Sequence, residues 1–148
     1  MKRLLPFLFL GLALGSCKKD TPGTAPNIDA VSPLTGNAWV WTSETTTATP
    51  KAGGAVTSRS KTVVPNTVKT TYATDGSYTI VTDKSVSSTG VAITVTGTYT
   101  YSGGTITYLT GGNTSTARVD VLTSNNLTTV STSEDSSTRY VTTDTFAR

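Results

Sequence analysis

The chain has no histidine and one cysteine, and charged residues make up 14% of its 148 positions. Without histidine there is no Ser-His triad, no Cys-His pair and no imidazole metal site. A single cysteine excludes an intrachain disulfide. Nine carboxylates are present, and only Glu134 and Asp135 are adjacent, in a Ser-Glu-Asp-Ser-Ser segment that reads as a solvated turn. Asp75, beside Gly76, is explained by turn chemistry rather than acid–base work. The Gly-Gly pairs are turns and open no phosphate loop. No basic run suited to nucleic acid occurs. These absences predict a non-enzyme with no catalytic residues, no metal and no cofactor. After residue 14 there is no long apolar run and no segment with a helical period.

What is present begins at the amino end. Lys2 and Arg3 precede an apolar stretch, residues 4–14, which is too short to span a bilayer. A basic start, a short apolar stretch and small residues after it mark a secretory leader. Leu14-Gly15-Ser16-Cys17 resembles a lipobox, an aliphatic residue and two small ones before an obligate cysteine. The resemblance implies cleavage before Cys17 and lipidation of its thiol, with diacylglycerol and palmitate-type chains as the anchor. Two or more acyl chains, at about 0.8 kcal/mol per buried CH₂, hold a protein at a membrane stably. Loss of Lys2 and Arg3 leaves ten basic against nine acidic residues. Lys18 follows the cysteine, where inner-membrane retention resembles an aspartate signal, so the outer membrane of the cell envelope is expected, on either face.

The expected organisation is a signal peptide over residues 1–16, a lipidated cysteine and flexible tether over 17–33, and one β domain over 34–148. Pro22, Gly23 and Pro26 make the tether poor in residues worth burying. Beyond it, threonine supplies roughly a quarter of the chain, and a β-branched residue favours strands. About eight strands are predicted, at 39–47, 58–74 (interrupted at Pro65-Asn66), 77–86, 91–101, 105–110, 115–122, 127–133 and 138–146. Asp75-Gly76, Gly103-Gly104 and Gly111-Gly112-Asn113 are turns. Short connections predict an all-β, antiparallel up-and-down meander.

Alternation places Val91, Ile93, Val95, Tyr99 and Tyr101 on one face, with Gly97 among them. Ile106 and Tyr108, Val119 and Val121, Tyr140 and Phe146, and Tyr78 and Ile80 extend that face. Each large side chain buried contributes about 1.5–3 kcal/mol, so the face must be inside. A twisted meander hides it by closing into a barrel; a two-sheet sandwich is the alternative. The opposite face, with Thr94, Thr96, Thr98, Thr100, Thr105 and Thr107, reads as a polar exterior.

Several motifs carry a resemblance. Leu34-Thr-Gly36 before Trp39, Tyr72-Ala-Thr-Asp75-Gly76-Ser-Tyr78, Gly97-Thr-Tyr99, Leu122-Thr-Ser-Asn125-Asn-Leu127 and the Phe146-x-Arg148 ending resemble, in that order, small lipocalin-like lipoproteins of bacteroidete type. Asn37 and Ala38 separate Gly36 from Trp39 where that family has one residue, and the Thr-Asp-Tyr motif of true lipocalins is absent. The resemblance implies a lipocalin-like barrel able to hold a small hydrophobic ligand. Trp39, Trp41, Tyr78, Tyr101 and Tyr108 are the candidate ligand-lining residues; the competing reading makes the two tryptophans a plug at one end of the core. Two functions follow as expectations. One is a membrane-anchored binding module. The other is a structural or interaction lipoprotein with a filled core, contacting another envelope component.

Overall fold

A computed structural model describes residues 33–148, all β and turn. The leader, Cys17 and the tether through residue 32 lie outside the described residues. Nine strand segments follow in order: β1 Trp39–Pro50, β2 Thr57–Thr62, β3 Val68–Tyr72, β4 Ser77–Thr82, β5 Ile93–Ser102, β6 Thr105–Thr110, β7 Asn113–Leu122, β8 Asn126–Glu134 and β9 Thr138–Ala147. From β3 to β9 each pairs antiparallel with the next. β1 then pairs with β9 from Val40↔Ala147 to Pro50↔Thr138, which closes the sheet.

The other edge of β1 is shared. Ser43 to Ala48 pair with β2, and Trp39 and Val40 pair with β3. β2 and β3 are therefore two parts of one broken strand, and the barrel is eight-stranded. The break falls at the expected Pro65-Asn66. Proline supplies no N–H for a ladder, Asn66 takes a φ of 62°, and the Thr67 hydroxyl donates to the Val64 carbonyl at 2.6 Å. The meander and closed barrel read from the sequence are what the chain forms.

The core gathers at one end, the floor. Leu34, Trp39, Tyr72, Tyr78, Tyr99, Ile106 and Leu127 are buried together there. They lie where β1, β4, β6 and β8 begin and where β3 and β5 end, so up-and-down connectivity brings them to one level. The hairpin at this end is set by Asp75, whose Oδ1 accepts from the Ser77 N–H at 2.8 Å and the Ser77 hydroxyl at 2.6 Å. Asp135 does the same work at the opposite end, accepting from the N–H groups of Ser137 and Thr138. Those bonds and the Tyr140 hydroxyl hold its carboxyl at about 2.

Two expectations about the buried face need correction. Val91, Ile93 and Val95 are 65%, 39% and 37% exposed. β6 ends at Thr110, and its last pair with β5 is Thr98↔Leu109. The first half of β5 therefore stands above the end of β6 with only β4 paired beside it. Val121 is also exposed, at 42%. A bulge between Val119 and Val121 turns the pleat over, so Leu122 packs against the core in its place.

A second bulge matters more for function. It lies in β1 between Trp41 and Ser43. Before it, Trp39 and Trp41 face inward; beyond it Glu44 and Thr46 do so, and Ser43 and Thr45 face out.

Gly97 is the tightest point of the wall. A Cβ there would lie 2.4 Å from the Leu109 carbonyl oxygen and 2.7 Å from the Tyr78 ring. Gly97→Ala should therefore destabilise the barrel by about 1–3 kcal/mol, the usual cost of overpacking. Urea unfolding reads it as a lower midpoint with an unchanged slope.

Candidate functional site

The floor is built around Trp39, which has no exposure. Its indole N–H donates to the Leu34 carbonyl at 2.8 Å. The Arg148 guanidinium stacks 3.8 Å from the ring centroid and donates to the carbonyls of Leu34 and Thr35 at 2.8 and 3.0 Å. One planar cation thus ties the ends of the domain together and seals the barrel from below.

The upper part of the floor is a tyrosine layer, with Tyr108 packed against it. Tyr72 meets Tyr99 edge-on at 4.9 Å, and Tyr78 meets Tyr108 edge-on at 5.2 Å. Their hydroxyls are all used. Tyr72 and Tyr108 bond each other at 2.6 Å, Tyr78 bonds Thr110, and Tyr99 donates to the Ala73 carbonyl at 2.9 Å. Burial pushes the Tyr72 phenol well up and raises Tyr108 to about 12, so both stay protonated. Among the described residues no buried side-chain polar atom lacks a partner.

The upper half of the barrel is open. Between β2, β3, β4 and the β1–β9 pair lies a cavity of about 630 Å³. Its apolar wall includes Val63, Val64, Ile80, Val86 and Phe146, with Trp41 on one side. Glu44, Lys61 and Asp144 are its charged residues. A smaller recess of about 290 Å³ adjoins it toward the tyrosine layer and shares Thr70, Ile80, Asp144 and Phe146. A third, of about 470 Å³, continues along β1 and β2 past Glu44, Arg59 and Lys61. The mouth is thus a trough whose charged residues, Glu44, Lys61 and Asp144, lie on β1, β2 and β9, while its apolar residues come from all around it.

The five aromatics expected to line a ligand site divide between the two levels. Trp41 lines the mouth cavity and Tyr108 the recess below it. Trp39 fills the floor, Tyr78 lies in the tyrosine layer, and Tyr101 packs against the core from the side. The residues that sequence reasoning passed over are Glu44, Lys61 and Asp144. Asp144 had a visible signal, since it alternates with Phe146 in a row that faces inward. Glu44 had none, because the bulge before it reverses its side.

Asp144 is the unusual group of the site. Its Oδ1 accepts from the Trp41 indole N–H at 3.0 Å. Its carboxyl is shifted upward, first by burial and then by the charge of Glu44, against the opposing Trp41 bond. Glu44 and Asp144 are direct cross-strand partners.

An eight-stranded up-and-down barrel with a plugged floor and an open mouth is a lipocalin-like architecture. Among solved structures, a lipocalin-like protein from Bacteroides uniformis ATCC 8492 is similar at 17% identity and a TM-score of 0.46, covering 74% of this chain and 96% of that one. A redesigned β-barrel is similar at 14% identity and a TM-score of 0.40, covering 83% of this chain and 97% of that one. No protein-family model and no curated protein matches the chain. The barrel assignment stands on the chain's own strand pairings.

The shift on Asp144 has a sign. A carboxyl whose folded value lies above the ordinary 3.8 binds its proton more tightly in the folded state. Its contribution to stability is then greatest in acid and declines as pH rises through the range above 3.8. Asp144→Asn should remove that decline. Relative to the parent, the variant should gain stability between about pH 3.5 and pH 7, read as the difference in urea midpoint at the two values. A gap that stays constant over that range would contradict the assignment.

Proposed function

We propose that the protein is a membrane-anchored envelope lipoprotein of binding type, whose barrel mouth takes up a small ligand with substantial hydrocarbon surface. The observation that carries the reading is the open mouth cavity, with Ile80, Val86 and Phe146 on its wall and Trp41 at its side. At about 630 Å³ it falls within the size range of small-molecule sites, and its mix of apolar wall and few polar groups is what such sites use. Its charged residues, Glu44, Lys61 and Asp144, come from the neighbouring strands β1, β2 and β9, which suits a molecule with one polar end. The floor, by contrast, is filled with side chains and leaves no room for a ligand there.

The closed floor also suits the proposed anchor. Leu34 is packed in the floor, so the segment that leads back to Cys17 leaves from that end. The mouth then opens at the end opposite the attachment point.

A displacement assay with an uncharged, environment-sensitive fluorescent probe on the chain with Cys17→Ser, freed of its acyl group, tests the binding reading. Saturable binding should be weakened about tenfold or more by Trp41→Ala, which removes one wall of the cavity, since each 1.4 kcal/mol of lost contact is tenfold. Absence of saturable binding across amphipaths of different head group would overturn it.

Anchoring is tested separately in the native host. The parent chain should partition with membranes and carry acyl mass on Cys17, and Cys17→Ser should leave the protein unacylated and unprocessed or soluble. An acylated Cys17→Ser chain would overturn the anchor.

A further inference from the structure

The mouth contains a charge arrangement that a purely apolar ligand leaves unused. Glu44 and Asp144 stand directly opposite each other across the β1–β9 pairing, and both line the cavity. Like charges in that position on one sheet face repel. Among the described residues each accepts one side-chain hydrogen bond: Asp144 from the Trp41 indole at 3.0 Å, and Glu44 from the Thr46 hydroxyl at 3.5 Å. The ion pairs of the described residues lie elsewhere, at Lys51–Glu134, Arg118–Asp120 and Arg139–Glu134.

Lys61 is the cross-strand partner of Glu44, yet its ammonium lies over the Trp41 ring, 5.2 Å from the centroid. The protein's own ammonium thus marks a place over the Trp41 ring, in the cavity that Glu44 and Asp144 also line, where a cation is accommodated by an aromatic face. Lys61 and Arg59 are exposed on β2, where water screens them. Asp144 is half-buried and faces both the mouth cavity and the recess beneath it. The charge set deeper in the trough is therefore negative, and a half-buried carboxylate gains most from a cation that replaces lost water.

We infer that the ligand of the mouth is a cationic amphipath, whose ammonium group sits between Glu44, Asp144 and the Trp41 ring while its hydrocarbon lies along Ile80, Val86 and Phe146. The inference rests on the mouth being a ligand site. An ammonium donates to both carboxylates at once, relieves their repulsion and meets the ring face that Lys61 now covers. Lys61, on an exposed flexible stem, moves out to solvent. A fatty carboxylate entering head-first would meet two carboxylates.

Three probes with the same chain length separate the claims: dodecylammonium, dodecanol and dodecanoate, titrated calorimetrically below their micellar concentrations into the chain with Cys17→Ser. Dodecylammonium should bind about tenfold or more tighter than dodecanol, the worth of one charge-assisted contact, and dodecanoate should bind more weakly than dodecanol. Asp144→Asn keeps the acceptor for the Trp41 indole. That variant and Glu44→Gln should each weaken dodecylammonium about tenfold and leave dodecanol nearly unchanged. Lys61→Ala should tighten dodecylammonium. Equal binding of ammonium and alcohol, or ammonium binding indifferent to both carboxylate variants, would overturn the head-group assignment while leaving the mouth a ligand site. Failure of all three probes to bind would instead overturn the reading of the mouth itself.

Discussion

The ladder between β1 and β9 is the interaction on which the rest of this molecule depends. It joins the first strand of the domain to the last over ten registered positions. Without it the meander would be an open sheet, with two unsatisfied edges and its inner face in water. With it, one face of every strand becomes an interior, and the ends of the strands become a floor and a rim. The contacts that follow presuppose that closure. Arg148 can stack on Trp39 because β9 returns beside β1. Trp41 can donate to Asp144, and the Thr46 hydroxyl can meet that of Thr142 at 3.2 Å, for the same reason.

Closure does not make the barrel uniform. Hydrophobic burial is concentrated at the floor, where seven large side chains are buried together. The top of that floor is a layer of tyrosines whose hydroxyls bond one another, threonine or backbone. Above it the interior becomes a half-open trough with acidic and basic groups. The gradient follows strand length. β6 and the start of β7 stop short of the rim, while β5 and the β1–β9 pair rise past them. Inner-facing positions of β5 above that level have no β6 beside them. Val91, Ile93 and Val95 are exposed for that reason, and the carboxylates of Glu44 and Asp144 can reach solvent from the same level.

Much of the architecture was legible in the residues. Asp75-Gly76, Gly103-Gly104 and Gly111-Gly112 are each turns in the structure, because their local chemistry suffices to set a hairpin. β6 runs over the residues expected of it, and Pro65-Asn66 breaks its strand where the missing N–H requires. The candidate site was less legible. Trp41 could be read as an inward aromatic, and Tyr108 as part of the apolar face. The facing of Glu44 could not be read, because one extra residue at Thr42 reverses the alternation beyond it. The same cause misplaced Val121, with Leu122 taking the core position. A bulge has no residue signature of its own here; it is a compromise between the twist of two neighbouring strands.

The sequence by itself determined that this chain would form short antiparallel strands with one oily side, and where most of them would turn. Those properties depend on β-branched composition, period-two alternation and turn residues, all of which act over a few neighbours. Only the tertiary structure decided which inward residues form a floor and which a mouth. That outcome depends on relative strand lengths and on two register shifts, and these arise when strands far apart in the chain are paired around a closed ring. The floor was therefore foreseeable as a core, while the trough that faces Trp41, Glu44 and Asp144 toward one another came into being only on closure.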